Sequence, residues 1–305
     1  MSTRDPDRLA WAPSVPFFAI HAGALATPFL FPATGGLLAL AAGLYALRMF
    51  AITAGYHRYF AHRAYKTGRA FQLVLAVLGG MSAQKGALWW AAHHRDHHRY
   101  SDTEEDIHSL VRRGFWWSHV GWILSTRYDR TVVENVKDLT RWPELRWLDR
   151  FHWVPPAALA LLLWLAGGWA AFAWGFLVST VFLWHGTFAI NSLCHLIGRK
   201  RYETGDESRN SFALAVVTLG EGWHNNHHFY AATANQGWFW WELDVSYYLL
   251  RALAAVGVVR DLRLPPPHIR MAHRLGEGRR SRSAADAERQ QPGERQQRPL
   301  EEEAA

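Results

Sequence analysis

The chain has 305 residues, half of them apolar, with 17 Trp, 16 Phe and 10 Tyr and a formal net charge of +7. Its single cysteine, Cys194, excludes the intrachain disulfide framework that holds small secreted domains together. The charge is uneven: basic residues gather before residue 10, between 58 and 150, and after 198, while 11–56 and 151–197 carry almost none.

In chain order, the run from Trp11 to Leu30 has the length of about 20 residues that a helix needs to cross a bilayer. A second run, 37–55, follows the turn FPATGG. Because another span follows it, the first is not a cleavable leader. Arg48 interrupts the second run and is expected to snorkel or face protein. Two further runs, 153–167 and 169–193, meet at Gly167 and Gly168. The turns at 31–36 and 167–169 have no Lys or Arg, whereas residues 1–10, 56–152 and those after 198 are basic, so the positive-inside rule places the latter three in the cytoplasm. Residues 245–259 make an apolar helix too short to span, expected beneath the spans. The basic segment 263–305 is expected to be a disordered tail, with no apolar periodicity from 274 onward. The expected fold is therefore an all-α integral membrane protein. Four transmembrane helices in two hairpins and a cytoplasmic helical cap (56–152 and 196–262) form one membrane domain, 11–262, after a cytoplasmic amino terminus, 1–10. The bilayer is its expected surface partner, and no nucleic acid is expected.

The histidines cluster on that predicted cytoplasmic side. HRDHH (94–98) and HNNHH (224–228) each place imidazoles at i, i+3 and i+4, which share one face of a helix. With His57 and His62 of HRYFAH and with His195, nine rings gather: His57, His62, His94, His97, His98, His195, His224, His227 and His228. That is more nitrogen than one tetrahedral zinc takes, so the count points to two ions. Imidazole suits iron, copper, nickel and zinc alike, and iron is chosen because a nitrogen-rich site of low charge beside a membrane suits oxygen chemistry. Asp106 and His108 in EEDIHS are candidates to orient ligands by hydrogen bonds. The isolated His21, His152, His185, His268 and His273 are assigned to packing or surface, and His93 falls outside the box spacing. A transporter would place its ligands at mid-membrane. A bis-histidine haem protein would need facing rings deep in two spans, a description only His21 and His185 approach.

The segments ITAGYHRYFAH, HHRDHHRYSDTEEDIHS, GFWWSHVGW, NSLCH and GEGWHNNHH resemble the motifs of the membrane acyl-CoA desaturases, the stearoyl-CoA delta-9 desaturase family, in order, spacing and flanking residues over about 35–262. The resemblance implies four membrane helices as a stem and a cap with two irons. One iron would be held by His57, His62, His94, His98 and His227, and the other by His97, His195, His224 and His228, with Asn191 acting through a water. It implies insertion of a cis double bond, delta-9-like, into a saturated acyl chain by O2 and two electrons from a separate donor such as a ferredoxin or a cytochrome b5-type protein. A fatty acyl-CoA thioester is the implied substrate, with acyl carrier protein or a phospholipid chain as other carriers. A related acyl or alkane hydroxylase would use similar boxes. Gln84, Trp90 and Thr187 match the residues that bend the family's tunnel, whose far end would fall near Tyr45 and Met49. Where the animal enzymes carry an Arg-Asp pair for coenzyme A, this chain has Ala92 and His93, leaving Lys85 and Arg127 as candidate phosphate contacts.

Overall fold

The computed structural model describes residues 7–272. Of the expected disordered tail, 263–305, residues 263–272 are instead ordered, with a short helix at Pro267–Met271 tied down by the Tyr202 hydroxyl on the Arg270 carbonyl, and the rest lies outside the described residues. Up to there the chain is helices joined by loops, with short bridges and one antiparallel ladder, Lys66–Thr67 with Val259–Arg260.

Among the described residues, three helical runs are long and apolar enough to cross a membrane: Trp11–Leu30, Gly35–Ala61 and Val154–His195. The third run is broken. Gly168 has φ of 62°, a left-handed conformation that glycine adopts at little cost, and the chain reverses there. Leu159 and Leu163 before the break pack against Phe176 after it, so the run is two antiparallel helices side by side. The first helix presents Trp11, Leu25, Phe29 and Leu30 outward, as a lipid-facing helix does.

The second run changes character at its inner end. Gly35–Phe50 is α-helical, but Ala51–Ala61 is wound as a π-helix, with the His62 N–H reaching the His57 carbonyl at 3.1 Å. In this winding residues five apart lie one above the other. That is the separation of His57 and His62. The helix Arg69–Gly80 lies against this stretch so closely that a Cβ at Gly79 would sit 2.2 Å from the Tyr56 ring, which explains the absence of a side chain there. The main buried cluster, including Tyr56, Phe60, Tyr65, Leu75, Leu88 and Leu145, surrounds the same stretch.

Arg48 does not snorkel. It is fully buried, its guanidinium donating to Thr180 Oγ1 at 2.8 Å, Ser179 Oγ at 2.5 Å and the Met81 carbonyl at 3.1 Å. A cation so far from water persists because each of its three nitrogens finds an oxygen, Nε that of the Leu44 carbonyl.

Candidate metal centre

Four segments deliver the rings. The π-wound stretch ends on His57 and His62, the helix Ala87–Tyr100 carries the first box, the turn Leu193–His195 carries His195, and the short helix His224–Phe229 carries the second box. All nine expected ligands come together, in two adjoining clusters: His57, His62, His94, His98 and His227 in one, and His97, His195, His224 and His228 in the other. Within each cluster one nitrogen from every ring lies within 4.8 Å of all the others.

The facing nitrogens set a test for a metal. His57 Nε2 lies 2.9 Å from His227 Nε2, His94 Nε2 2.9 Å from His62 Nε2, His98 Nε2 2.8 Å from His227 Nε2, and His195 Nε2 3.2 Å from His224 Nε2. Metal–imidazole bonds of about 2.1 Å at right angles would separate two nitrogens by about 3 Å. Protonation on the far nitrogen makes these atoms lone pairs. His57 Nδ1 donates to Glu221 at 2.6 Å, His97 Nδ1 to Asp106 at 3.0 Å, His195 Nδ1 to Asp102 at 3.2 Å and His228 Nδ1 to Asp206 at 2.6 Å. His228 Nε2 is then a buried lone pair with no hydrogen-bond partner among the described residues. A transition-metal ion fits each cluster by spacing, tautomer and donor type.

Electrostatics agree. Burial, reinforced by neighbouring rings, pushes His62, His94, His98, His224 and His227 well below the ordinary imidazole range, leaving them neutral as ligation requires. His97 is the exception, raised by Asp106 against the effect of burial. Burial alone would raise the carboxyl of Asp102. The hydrogen bond and charge of His195, with help from the Glu207 N–H and the Ser109 hydroxyl, outweigh it and hold Asp102 near about 2. Asp106 and Asp206 are likewise held below the usual range by their histidines against burial, and Glu221 lies at about 2 beside His57 and Arg58.

Asp106 accepts from His97, and His108 packs its ring 4.2 Å from that of His97. Asp102, Asp206 and Glu221 escaped sequence reasoning. Glu221 had a signal, lying three residues before the second box, whereas Asp102 and Asp206 are loop acids whose partners lie 93 and 22 residues away.

A cavity of about 480 Å³ runs past the centre, lined by His94, His108, Gln84, Trp90, Thr187 and Asn191 among others. Gln84 donates to Thr187 Oγ1 at 3.1 Å, and Trp90 stacks on His94 at 4.8 Å between ring centroids. Buried His93 also lines it, its Nδ1–H donating to the Trp89 carbonyl at 2.9 Å. Tyr45 and Met49 do not line it. Tyr45 donates to the Val217 carbonyl, and Met49 packs with Leu183, Trp184 and Phe188, so both stand behind the wall that Trp184 and Phe188 give the cavity. The first helix contributes the wall instead, through Pro16, Phe17 and Ile20. Lys85 lines the cavity and is paired with Asp129; Arg127 is outside its lining and is paired with Asp7.

Apolar spanning helices and two polyhistidine clusters beside a cavity define a membrane protein whose clustered imidazoles are compatible with metal binding. The chain belongs to the fatty acid desaturase family, whose model matches residues 31–272. It is 36% identical over 267 residues to the sn-2 palmitoyl-lipid 9-desaturase of Nostoc sp. (strain 36), covering 85% of this chain and 92% of that one. It is 33% identical to the sn-1 stearoyl-lipid 9-desaturase of Anabaena variabilis (87% and 97% covered) and 35% identical to the icosanoyl-CoA 5-desaturase of Limnanthes douglasii (85% and 75%). Proteins of this family are oxidoreductases that introduce double bonds into acyl chains, and this chain is a membrane protein of lipid metabolism.

Proposed function

We propose that the chain inserts a cis double bond, at delta-9, into a saturated acyl chain, using O2, two iron ions and electrons from a separate donor. The observation that carries this reading is the pair of histidine clusters beside the cavity bearing Gln84, Trp90 and Thr187. His57, His62, His94, His98 and His227 would hold one ion, and His97, His195, His224 and His228 the other, with Asn191 acting on the second through a water. Bound iron supplies an oxidant strong enough to take hydrogen from unactivated methylenes, which acid–base side chains cannot do.

The protein's own part is to hold the chain in register. A saturated chain has no polar mark, so position must be read from shape. The Gln84–Thr187 hydrogen bond ties the segment before the first box to the helix Ser179–Ser192, and Trp90 on His94 closes the wall beside the ligands. A bend fixed there suits a cis product.

We place the four membrane helices in two hairpins, with both termini and the histidine centre on the cytoplasmic side, as the charge distribution supports. The basic cap suits an acidic ferredoxin or cytochrome b5-type donor. For the carrier we favour a membrane lipid over coenzyme A. The cations expected to meet CoA phosphates are engaged by Asp129 and Asp7, Ala92 and His93 replace an Arg-Asp pair, and two of the relatives above are named for lipid-linked palmitoyl and stearoyl chains. No observation favours hydroxylation.

The test is expression in a host lacking unsaturated acyl chains, with iron and donor supplied and double bonds located by mass spectrometry. An unchanged profile from an iron-loaded protein overturns desaturation, and an alcohol in place of an alkene assigns a hydroxylase. In a short pulse of labelled saturated chain, the alkene is expected in glycerolipid before acyl-CoA; the reverse order overturns the lipid carrier.

A further inference from the structure

The two histidine clusters differ in what stands behind them. In the four-histidine cluster three ligands donate Nδ1–H to a carboxylate: His97 to Asp106 at 3.0 Å, His195 to Asp102 at 3.2 Å and His228 to Asp206 at 2.6 Å. Among the described residues no Lys or Arg forms an ion pair with any of these three acids; their other partners are neutral, such as the Ser109 hydroxyl on Asp102 and the Ser208 and Thr204 hydroxyls on Asp206. In the five-histidine cluster only His57 has such a partner, Glu221 at 2.6 Å. Glu221 also accepts from Arg58 Nε at 3.1 Å and Nη2 at 2.9 Å, and Arg58 in turn pairs with Asp244. Three uncompensated negative charges therefore back one cluster, while Glu221, Arg58 and Asp244 together leave one behind the other.

A carboxylate that accepts from the remote nitrogen makes imidazole a stronger donor, and net charge close to a buried metal tunes its potential. Both effects favour the more highly charged ion at the same place. Resting on the two-iron reading above, we propose that the centre is redox-asymmetric by construction: the Asp102, Asp106 and Asp206 carboxylates hold ferric iron at His97, His195, His224 and His228, and the first electron goes to the site of His57, His62, His94, His98 and His227. Each reduction is one electron converting ferric to ferrous, supplied by the separate donor protein or, in the test, by dithionite, with no bond to carbon made or broken. Asp102, Asp106 and Asp206 act here as positioning and tuning residues.

The experiment is an anaerobic one-electron titration of the detergent-purified full chain loaded with isotopically enriched iron, followed by Mössbauer spectroscopy with iron counted in every sample. Two separate reduction steps are expected, with distinct ferric and ferrous signals at the midpoint. Asp102→Asn and Asp206→Asn are expected to raise the potential of the second step and leave the first in place, and Glu221→Gln to move the first. Asp206→Glu, which restores the charge, is expected to bring the second step back towards wild type. A single two-electron step, or aspartate variants that move the first step, overturns the asymmetry while leaving the two-iron assignment standing. If an Asn variant loses iron, the comparison rests on Asp206→Glu and Glu221→Gln, and equal displacement of both steps by either one overturns the proposal. A wild-type protein that binds no iron overturns the function reading itself.

Discussion

Arg48 and Arg58 lie ten residues apart on one continuous helical run, and both are wholly shut off from solvent. They are satisfied in opposite ways. Arg48, within the apolar bundle, is surrounded by neutral oxygens: two hydroxyls and the carbonyls of Leu44 and Met81. Arg58, in the cap, lies between the carboxylates of Glu221 and Asp244 and also donates to the Ala234 carbonyl. The first joins the second apolar run to Ser179 and Thr180 and to the turn after Gly80. The second anchors the carboxylate that orients His57, one residue away. The same side chain is thus a fastening of the bundle in one place and part of the metal-site framework in the other.

Among single substitutions, breaking the second arrangement should have the largest effect. Glu221→Ala leaves Arg58 half-paired and His57 without its acceptor. Removing one partner of a buried ion pair costs about 3–5 kcal/mol, so a large loss of stability in denaturant titration and a fall in bound iron are expected. Retention of both would separate Arg58 from the metal framework.

Acid should discriminate between the regions next. In metal-stripped protein, His62, His94, His98, His224 and His227 resist protons that an ordinary imidazole takes up near 6.5. The unfolded state then binds more protons below that pH, so their contribution to stability is present above about 6.5 and lost as pH falls, at up to about 1.4 kcal/mol per pH unit for each ring. His97, raised by Asp106, works in the opposite sense, one ring against these five and His228, which burial lowers to about 4. Unfolding measured from pH 7.5 to 5 in detergent should show the decline; a flat profile would contradict neutral burial of the cluster. The smallest effect is expected for Arg48→Met. Its hydroxyl partners can turn to helix carbonyls, as Thr180 and Ser179 sit within a helix, so a loss of about 1 kcal/mol with unchanged iron content is expected. Loss of iron in this variant would mean that the bundle and the cap are not separable in this way.

The features legible in the sequence are those written locally. The i, i+3, i+4 boxes announced that their imidazoles would gather because a helix carries its own periodicity, and the long apolar runs announced themselves by length. The π-winding that aligns His57 with His62 was not legible, since no residue type in Ala51–Ala61 marks it and the helix packed against it, Arg69–Gly80, is known only from the fold. Asp102 and Asp206 were invisible for a related reason: a single acid in a loop means nothing until the chain returns a histidine to it. Tyr45 and Met49 were placed near the cavity by analogy alone, and they lie behind its lining, packed with Trp184 and Phe188, rather than in it.

The boxes are interlaced. The first gives its outer pair, His94 and His98, to one cluster and His97 to the other, while the second gives His224 and His228 to the latter and His227 to the former. An ion in either cluster would therefore draw on rings from both box helices. Uptake of the pair should be cooperative, with singly filled protein scarce at every stage of loading.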